Sequence, residues 1–391
     1  MSKWEMVKLG EIARVSAGQS APKENSFSKV GIPFVRAGSL VKLLDGLDET
    51  NLELIENDTA IKLKLKTQNK GTILFAKSGM SCMKGHVYVL KNNAYAVSHL
   101  ACVYPTKCDS SFLSYYFKYN QPNRLIKDES YPSISLIDIE NIEIPLPPLD
   151  EQKRIAEELD KISGLIAKRK NQLEKLDLLV KAKFVEMFGD PVTNPMGWKE
   201  EKLGYISHVI SGITKGRKTK EQELMEVPYM AVSNVKSGYI DTTNIKTILA
   251  TKSEIQQYKL LEDDILMTEG GDPDKLGRGA IIKYPPLNCI HQNHIYRVRL
   301  DRKYVLPEYF SEYLQQPKSK QYCLWCAKQT TGIASINMTQ LKGLPVVIPS
   351  INLQNQFAEY VTKVLQTKIK LQHGLEQLET LYKARMQEYF E

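Results

Sequence analysis

A chain of 391 residues exceeds one small hydrophobic core and fits two to three domains. Hydrophobic residues at 42% and charged residues at 25%, with 22 Gly and 18 Pro, exclude a disordered, collagenous or disulfide-scaffold chain. A formal charge of +8 favours a polyanionic partner, and no apolar run approaches the roughly 18 residues of a membrane span.

From the N-terminus, Met1-Ser-Lys-Trp-Glu5 has no apolar signal core, which points to a cytoplasmic protein whose 6 Cys are reduced. Thr72–Phe75, His86–Leu90 and Ala101–Tyr104 read as short strands, and Phe112–Tyr119 as a helix with aromatic residues along one face. The prolines of Pro145-Leu-Pro-Pro148 stop this mixed segment, and Asp150 with Glu151 opens a helix. Ile155, Leu159, Ile162, Ile166, Leu173, Leu176 and Val180 then follow at helical spacing, with Arg169 in one slot. A linker from Gly189 to Gly197 leads to a second set of elements. Its strands are expected at Asp264–Met267, Gly279–Ile282 and Ile295–Val298 and its helix at Pro307–Leu314. The apolar series Phe357, Val361, Val364, Leu371, Leu375, Leu378, Tyr382 and Tyr389, interrupted by Lys368, closes the chain. Spacing near 3.5 predicts that the two series pair as a coiled coil of helices about 57 Å long.

These two sets are copies of one plan. Trp4, Leu9-Gly10, Ile12, Val15 and Gly18 recur at the same spacings as Trp198, Leu203-Gly204, Ile206, Val209 and Gly212. Ile73-Leu74 before Gly79 recurs as Ile265-Leu266 before Gly271, and Ser98-His99-Leu100 as Asn293-His294-Ile295. Residues 173–188 align without a gap to 375–390 with 8 of 16 identical, where chance gives on the order of one. The expected fold is α+β: two similar mixed α/β domains separated by two long antiparallel helices, with a pseudo-twofold internal repeat. The domains take residues 1–149 and 190–349, the second including the linker, and the helices take 150–189 and 350–391.

No catalytic constellation emerges. Gly270–Gly279 is glycine-rich but lacks the Gly-Lys-Ser/Thr ending of a phosphate loop, and Asn194-Pro195-Met196-Gly197 carries only half of an amino-methyltransferase tetrapeptide. Cys323-Leu-Trp-Cys326 reads as one side of a buried helix, and the recurring His99 and His294 as structural histidines. Neither a metal nor a cofactor is expected in this chain.

The copies diverge in polar loops that gather residues suited to phosphate positioning and base-edge reading. In the first copy these are Lys23, Arg36, Lys77, Ser78, Lys84, Arg124, Lys127 and Ser133. In the second they are Lys215, Arg217, Lys218 and Lys220 of one basic loop, then Asn234, Lys275, Arg278, Lys318, Lys320, Lys328 and Thr330. Lys275 and Arg278 of the second copy stand against Lys77, Lys84 and Gly85 of the first, and Lys318, Lys320 and Lys328 against Arg124 and Lys127. The alternative reading is a non-catalytic coiled-coil scaffold with incidental basic loops.

Each repeat begins with Trp, Leu-Gly and a downstream Gly. Each ends in a hydrophobic-proline element, Ile144-Pro-Leu-Pro147 or Val347-Ile-Pro349, followed by Leu149 and Gln152 or Ile351 and Gln354 at the start of a long helix. With the connector Phe188-Gly-Asp-Pro191, this order resembles the specificity subunit of type I restriction-modification systems over essentially the whole chain. The first copy departs in having Tyr131-Pro132 where the second has Thr331-Gly332. The resemblance implies two target-recognition domains, each reading one half of an asymmetric, interrupted DNA sequence, with the helices as a ruler. It implies a non-catalytic subunit of an adenine methyltransferase and ATP-dependent endonuclease. Two methyltransferase subunits carrying S-adenosylmethionine, and restriction subunits using ATP, would be its partners.

Overall fold

The computed structural model describes residues 4–218, 223–272, 276–330 and 333–391. It divides into two compact units, Met1–Lys170 with His373–Glu391, and Asn171–Gln372. The cut falls within both long helices, Leu149–Phe188 and Ile351–Phe390, so each unit holds one mixed segment, the start of its own helix and the end of the other.

The strands of the first unit are β1 (Met6–Lys8), β2 (Ala13–Ala17), β3 (Ile32–Val35), β4 (Leu54–Ile55), β5 (Ile73–Ala76), β6 (Val87–Val89), β7 (Tyr95–Ala96), β8 (Leu100–Pro105) and β9 (Glu143–Pro145). They form an antiparallel sheet in the order β2-β8-β5-β6, a second sheet β4-β3-β7 with β3 and β7 parallel, and the pair β1-β9. The second unit has β10 (Lys199–Lys202), β11 (Ser207–Ser211), β12 (Met225–Met230), β13 (Lys246–Ala250), β14 (Ile265–Thr268), β15 (Gly270–Gly271), β16 (Gly279–Ile281), β17 (Ile290–His291), β18 (Ile295–Leu300), β19 (Lys328–Thr330), β20 (Ile333–Ser335) and β21 (Pro345–Ile348). The orders β11-β18-β14-β16, β13-β12-β17 and β10-β21 repeat the first unit strand for strand, and one further sheet, β15-β20-β19, is added.

Local sequence explains the shared frame. β5 (ILFA) and β14 (ILMT) are short apolar runs in which every residue is buried, as the centre of a covered sheet requires. Gly18 and Gly212 recur because backbone crosses there. A Cβ on Gly18 would stand 2.3 Å from the Ala96 carbonyl oxygen, and one on Gly212 1.9 Å from that of His291. The predicted aromatic helices are Ser110–Tyr119, capped by Asp109, and Pro307–Tyr313, with proline in its first turn. Both lay a tyrosine hydroxyl on the strand that precedes the long helix: Tyr116 donates to the Glu143 carbonyl at 2.7 Å and Tyr313 to the Pro345 carbonyl at 2.7 Å.

The repeated glutamine at the start of each long helix is a buried staple. Gln152 accepts from the Asp109 N–H at 2.8 Å and donates to the Pro147 carbonyl at 2.8 Å. Gln354 accepts from the Leu306 N–H at 2.8 Å and donates to the Tyr304 and Pro349 carbonyls at 3.0 and 2.9 Å. The apolar series named above are all buried or half-buried, and the helices run antiparallel in both units. In the first, Glu158 meets Arg385 at 3.0 Å and the Tyr389 hydroxyl at 2.9 Å, and Lys170 meets Glu379 at 2.9 Å. In the second, Asp177 meets Lys368 at 2.5 Å, and Phe184 lies with its ring centroid 5.7 Å from that of Phe357. Each pair also completes a domain core. Ile155 and Leu159 with Met386, Tyr389 and Phe390 join the first, and Phe184, Phe188 and Phe357 the second.

Two details differ from the sequence reading. Cys323 is buried in the helix Pro317–Cys326, but Trp325 beside it is 82% exposed, so that helix presents an aromatic outward. His99 and His294 are exposed rather than packed among apolar neighbours. No helix among the described residues is long and apolar enough to cross a membrane.

Candidate nucleic-acid interface

In the first unit the candidate residues gather where the ends of β5 and β8 meet the segment before β9. The Lys77 N–H donates to the His99 carbonyl at 2.8 Å, the Ile134 N–H donates to the Lys77 carbonyl at 2.7 Å, and Ser78 bridges Ser133. Ser78 Oγ lies 2.8 Å from His99 Nδ1. The backbone therefore brings Lys77, Ser78, His99 and Ser133 to one place, flanked by Met80 and Tyr131, 72% and 81% exposed. Lys84 ends the next turn, which Asn123 ties to the turn holding Arg124 through a 3.0 Å bond to the Met83 carbonyl. Arg124 donates to Asn120 and lines a cleft of about 470 Å³ with Tyr116 and Glu391. Lys127 pairs with Asp138 at 3.1 Å while remaining largely exposed. Lys23 is exposed on a separate loop. Arg36 is engaged within the fold, paired with Glu53 at 2.5 Å and lying over the Phe27 and Phe34 rings.

The second unit repeats the same junction with different side chains. The Glu269 N–H donates to the His294 carbonyl at 3.0 Å, the Ile336 N–H donates to the Glu269 carbonyl at 2.9 Å, and Gly270 pairs with Ser335. Glu269, not Lys275 or Arg278, thus occupies the place of Lys77, and it holds His294 Nδ1 at 2.6 Å. The β14–β16 register sets Gly279 against Met267 as Val87 is set against Phe75, so Arg278 corresponds to His86. The added sheet carries exposed Lys328 beside Ser335, and Lys320 is exposed on the preceding helix.

Other candidates of the second unit are committed to its fold. Arg217 is bound through two nitrogens to Glu254, and this pairing holds the Glu254 carboxyl below its usual range. Asn234 is buried, donating to the Asp241 and Asn244 carbonyls at 2.8 and 3.0 Å and accepting from the Ala231 N–H at 2.9 Å. Lys318 is paired with Glu200 and mostly buried. Lys215 and Lys218 are exposed. Lys220, Lys275 and the Thr330 side chain lie outside the described residues.

Sequence reasoning missed Glu269 and set His294 aside as structural. The signal that finds Glu269 is the strand register: counting from Ile73-Leu74 and Ile265-Leu266 puts Lys77 and Glu269 at the same place. Among the described residues no group of three or more His, Cys, Asp or Glu is placed to hold a metal ion. The arrangement is one of exposed cations and hydroxyls around a rigid strand-end frame, suited to contacting phosphates and base edges.

Comparisons with known proteins agree in pointing to one family. The family model for the type I restriction modification DNA specificity domain matches residues 1–175 and again 195–380. The specificity subunit of the type I restriction enzyme EcoKI from Escherichia coli strain K12 is 23% identical over 392 residues, covering 93% of this chain and 82% of that protein. The MjaIX specificity subunit of Methanocaldococcus jannaschii is 36% identical over 156 residues, 37% of this chain and 34% of that one. The crystal structure of the S subunit of a type I restriction-modification system from M. genitalium superposes with a TM-score of 0.61 at 16% identity, covering 100% of this chain and 96% of that one. With its family model matched once in each copy, the chain belongs to the type I restriction-modification specificity subunits.

Proposed function

We propose that this chain is the DNA-recognition subunit of a cytoplasmic type I restriction-modification enzyme. It reads a bipartite, asymmetric duplex sequence and recruits methyltransferase subunits, two of them, together with restriction subunits. The chemistry belongs to those partners, which bring S-adenosylmethionine and ATP; this chain supplies the address. The observation that carries the reading is a single strand-end frame built twice with unlike side chains, Lys77 and Ser78 in one copy and Glu269 and Gly270 in the other. Two equal frames with different chemistry fit two different half-sites, and the paired long helices fit a fixed gap between them. Exposed Lys23, Lys84, Lys215, Lys218, Lys320 and Lys328 serve as phosphate contacts, and Lys77, Ser78 and Ser133 as groups near base edges.

The test is selection from a random duplex library by the full chain with its methyltransferase partner. The expected product is two short defined sequences at a constant gap, bound with a steep salt dependence. Enrichment of no sequence, or of one continuous block, contradicts the proposal and returns the chain to the scaffold reading.

A further inference from the structure

Resting on the DNA-recognition reading above, we infer that Lys77 and Glu269 are the counterpart specificity determinants of the two copies. Lys77 reads the acceptor edge of guanine, and Glu269, held by His294, reads an exocyclic amino group in the major groove.

Equivalence of the two positions rests on backbone, not on alignment. Each residue follows the last residue of the central strand, Ala76 of β5 or Thr268 of β14. Each N–H donates to the carbonyl of the repeated histidine, at 2.8 and 3.0 Å, and each carbonyl accepts from the Ile134 or Ile336 N–H, at 2.7 and 2.9 Å. Four hydrogen bonds thus fix the same frame twice, and the charge it carries is inverted. A structural role gives no reason for such inversion, because neither side chain fills a core: Lys77 and Glu269 are both half-exposed.

The partners of each side chain favour readout. Lys77 Nζ has no ion-pair partner among the described residues, while Ser78 rather than Lys77 holds His99. Glu269 uses one carboxylate oxygen, Oε2, on His294 Nδ1 at 2.6 Å. That contact ties one end of the carboxylate to the imidazole and limits how far the side chain can swing. The second oxygen has no hydrogen bond among the described residues. A carboxylate is repelled by phosphates, so on a DNA-facing surface its favourable partners are the amino groups of cytosine N4 or adenine N6. Lysine in the same frame instead donates to guanine O6 and N7.

The experiment is the same library selection with the full chain and its methyltransferase partner, comparing wild type with Glu269→Lys, Glu269→Gln and Lys77→Glu. Wild type is expected to show cytosine or adenine at one position of one half-site, the base found naming the amino group read, and guanine at one position of the other. Glu269→Lys shifts the first position toward guanine by about tenfold or more, and Lys77→Glu moves the second away from guanine by a similar factor. In each variant the untouched half-site stays constant, which reports a folded chain. Glu269→Gln keeps the side chain's shape and adds a donor beside its acceptor, so if the Lys variant fails to fold, a shift of about tenfold toward adenine at the same single position carries the test. Unchanged sequences in all variants overturn this inference and leave the DNA-recognition reading standing. A wild-type chain that selects no two-part sequence overturns both.

Discussion

The junction between each domain and its long helix and the strand-end loops of the same domain have been treated differently by the duplication. At the junction the copies share their main bonds: Gln152 and Gln354 each accept from a loop N–H and donate to a proline carbonyl, and Tyr116 and Tyr313 reach the same strand carbonyls. At the strand ends the backbone is kept and the chemistry replaced, Lys77 by Glu269 and Ser78 by Gly270. The difference teaches that the helices and their attachment are the common part of this architecture. The loops keep a few core anchors, Cys82 and Ile134 in the first copy and Leu276 and Ile336 in the second, and vary in the side chains between them.

The largest test of that contrast is in the helix ends. Phe184 is fully buried in the second core, and Met386 is its counterpart in the first. Phe184→Ala should lower stability by about 3–5 kcal/mol and Met386→Ala by about 2–5 kcal/mol, read by chemical denaturation. Losses under about 1 kcal/mol would mean the helix ends are not part of the domain cores. A second difference is acid sensitivity. His291 is buried in β17 where the first copy has Ala96 in β7, and burial, reinforced by Arg297, pushes its imidazole down to about 4. The folded state therefore keeps it neutral while the unfolded chain protonates near pH 6.5. Stability from this site is full above 6.5 and lost as pH falls toward 4, by about 3 kcal/mol in total. His291→Ala should flatten that slope in a pH series of unfolding curves; an unchanged slope contradicts the assignment.

Smaller effects probe the staple and the loops. Gln354→Ala strands the half-buried Leu306 N–H and should cost about 1–3 kcal/mol, with Gln152→Ala, which strands the Asp109 N–H, falling in the same range. Unequal losses would break the equivalence of the two junctions. Lys215→Ala and Lys218→Ala, at exposed positions, should change stability by less than about 0.5 kcal/mol, yet each phosphate contact removed should reduce the salt slope of DNA binding by about 1. A slope unchanged in the double variant would remove that loop from the interface.

The elements built on periodic burial were legible in sequence. The seam from Ile155 to Val180 and from Phe357 to Tyr389 is buried or half-buried along its length, because a helix face repeats its burial every few residues. The repeated Gly18 and Gly212 were visible as a repeat, and their cause, a carbonyl crossing, only in three dimensions. Side-chain partners were not legible. Arg217 and Glu254 are 37 positions apart and Lys318 and Glu200 are 118 apart, so their charges looked free in the sequence and are paired in the fold. Matching Lys77 to Lys275 and Arg278 failed for a related reason: charge is the property the loops change, whereas strand register is what they keep. Trp325 was read as buried because residue type reports average burial and not the side of a short helix it occupies.

The most direct test of the central claim, that each copy reads its own half of one DNA sequence, is an exchange of residues 190–349 for the matching segment of a relative with another specificity. The selected duplex sequences are then compared before and after. The expected result is one half-site replaced, the other retained, and the gap between them unaltered. Replacement of both half-sites, or of neither, would contradict it.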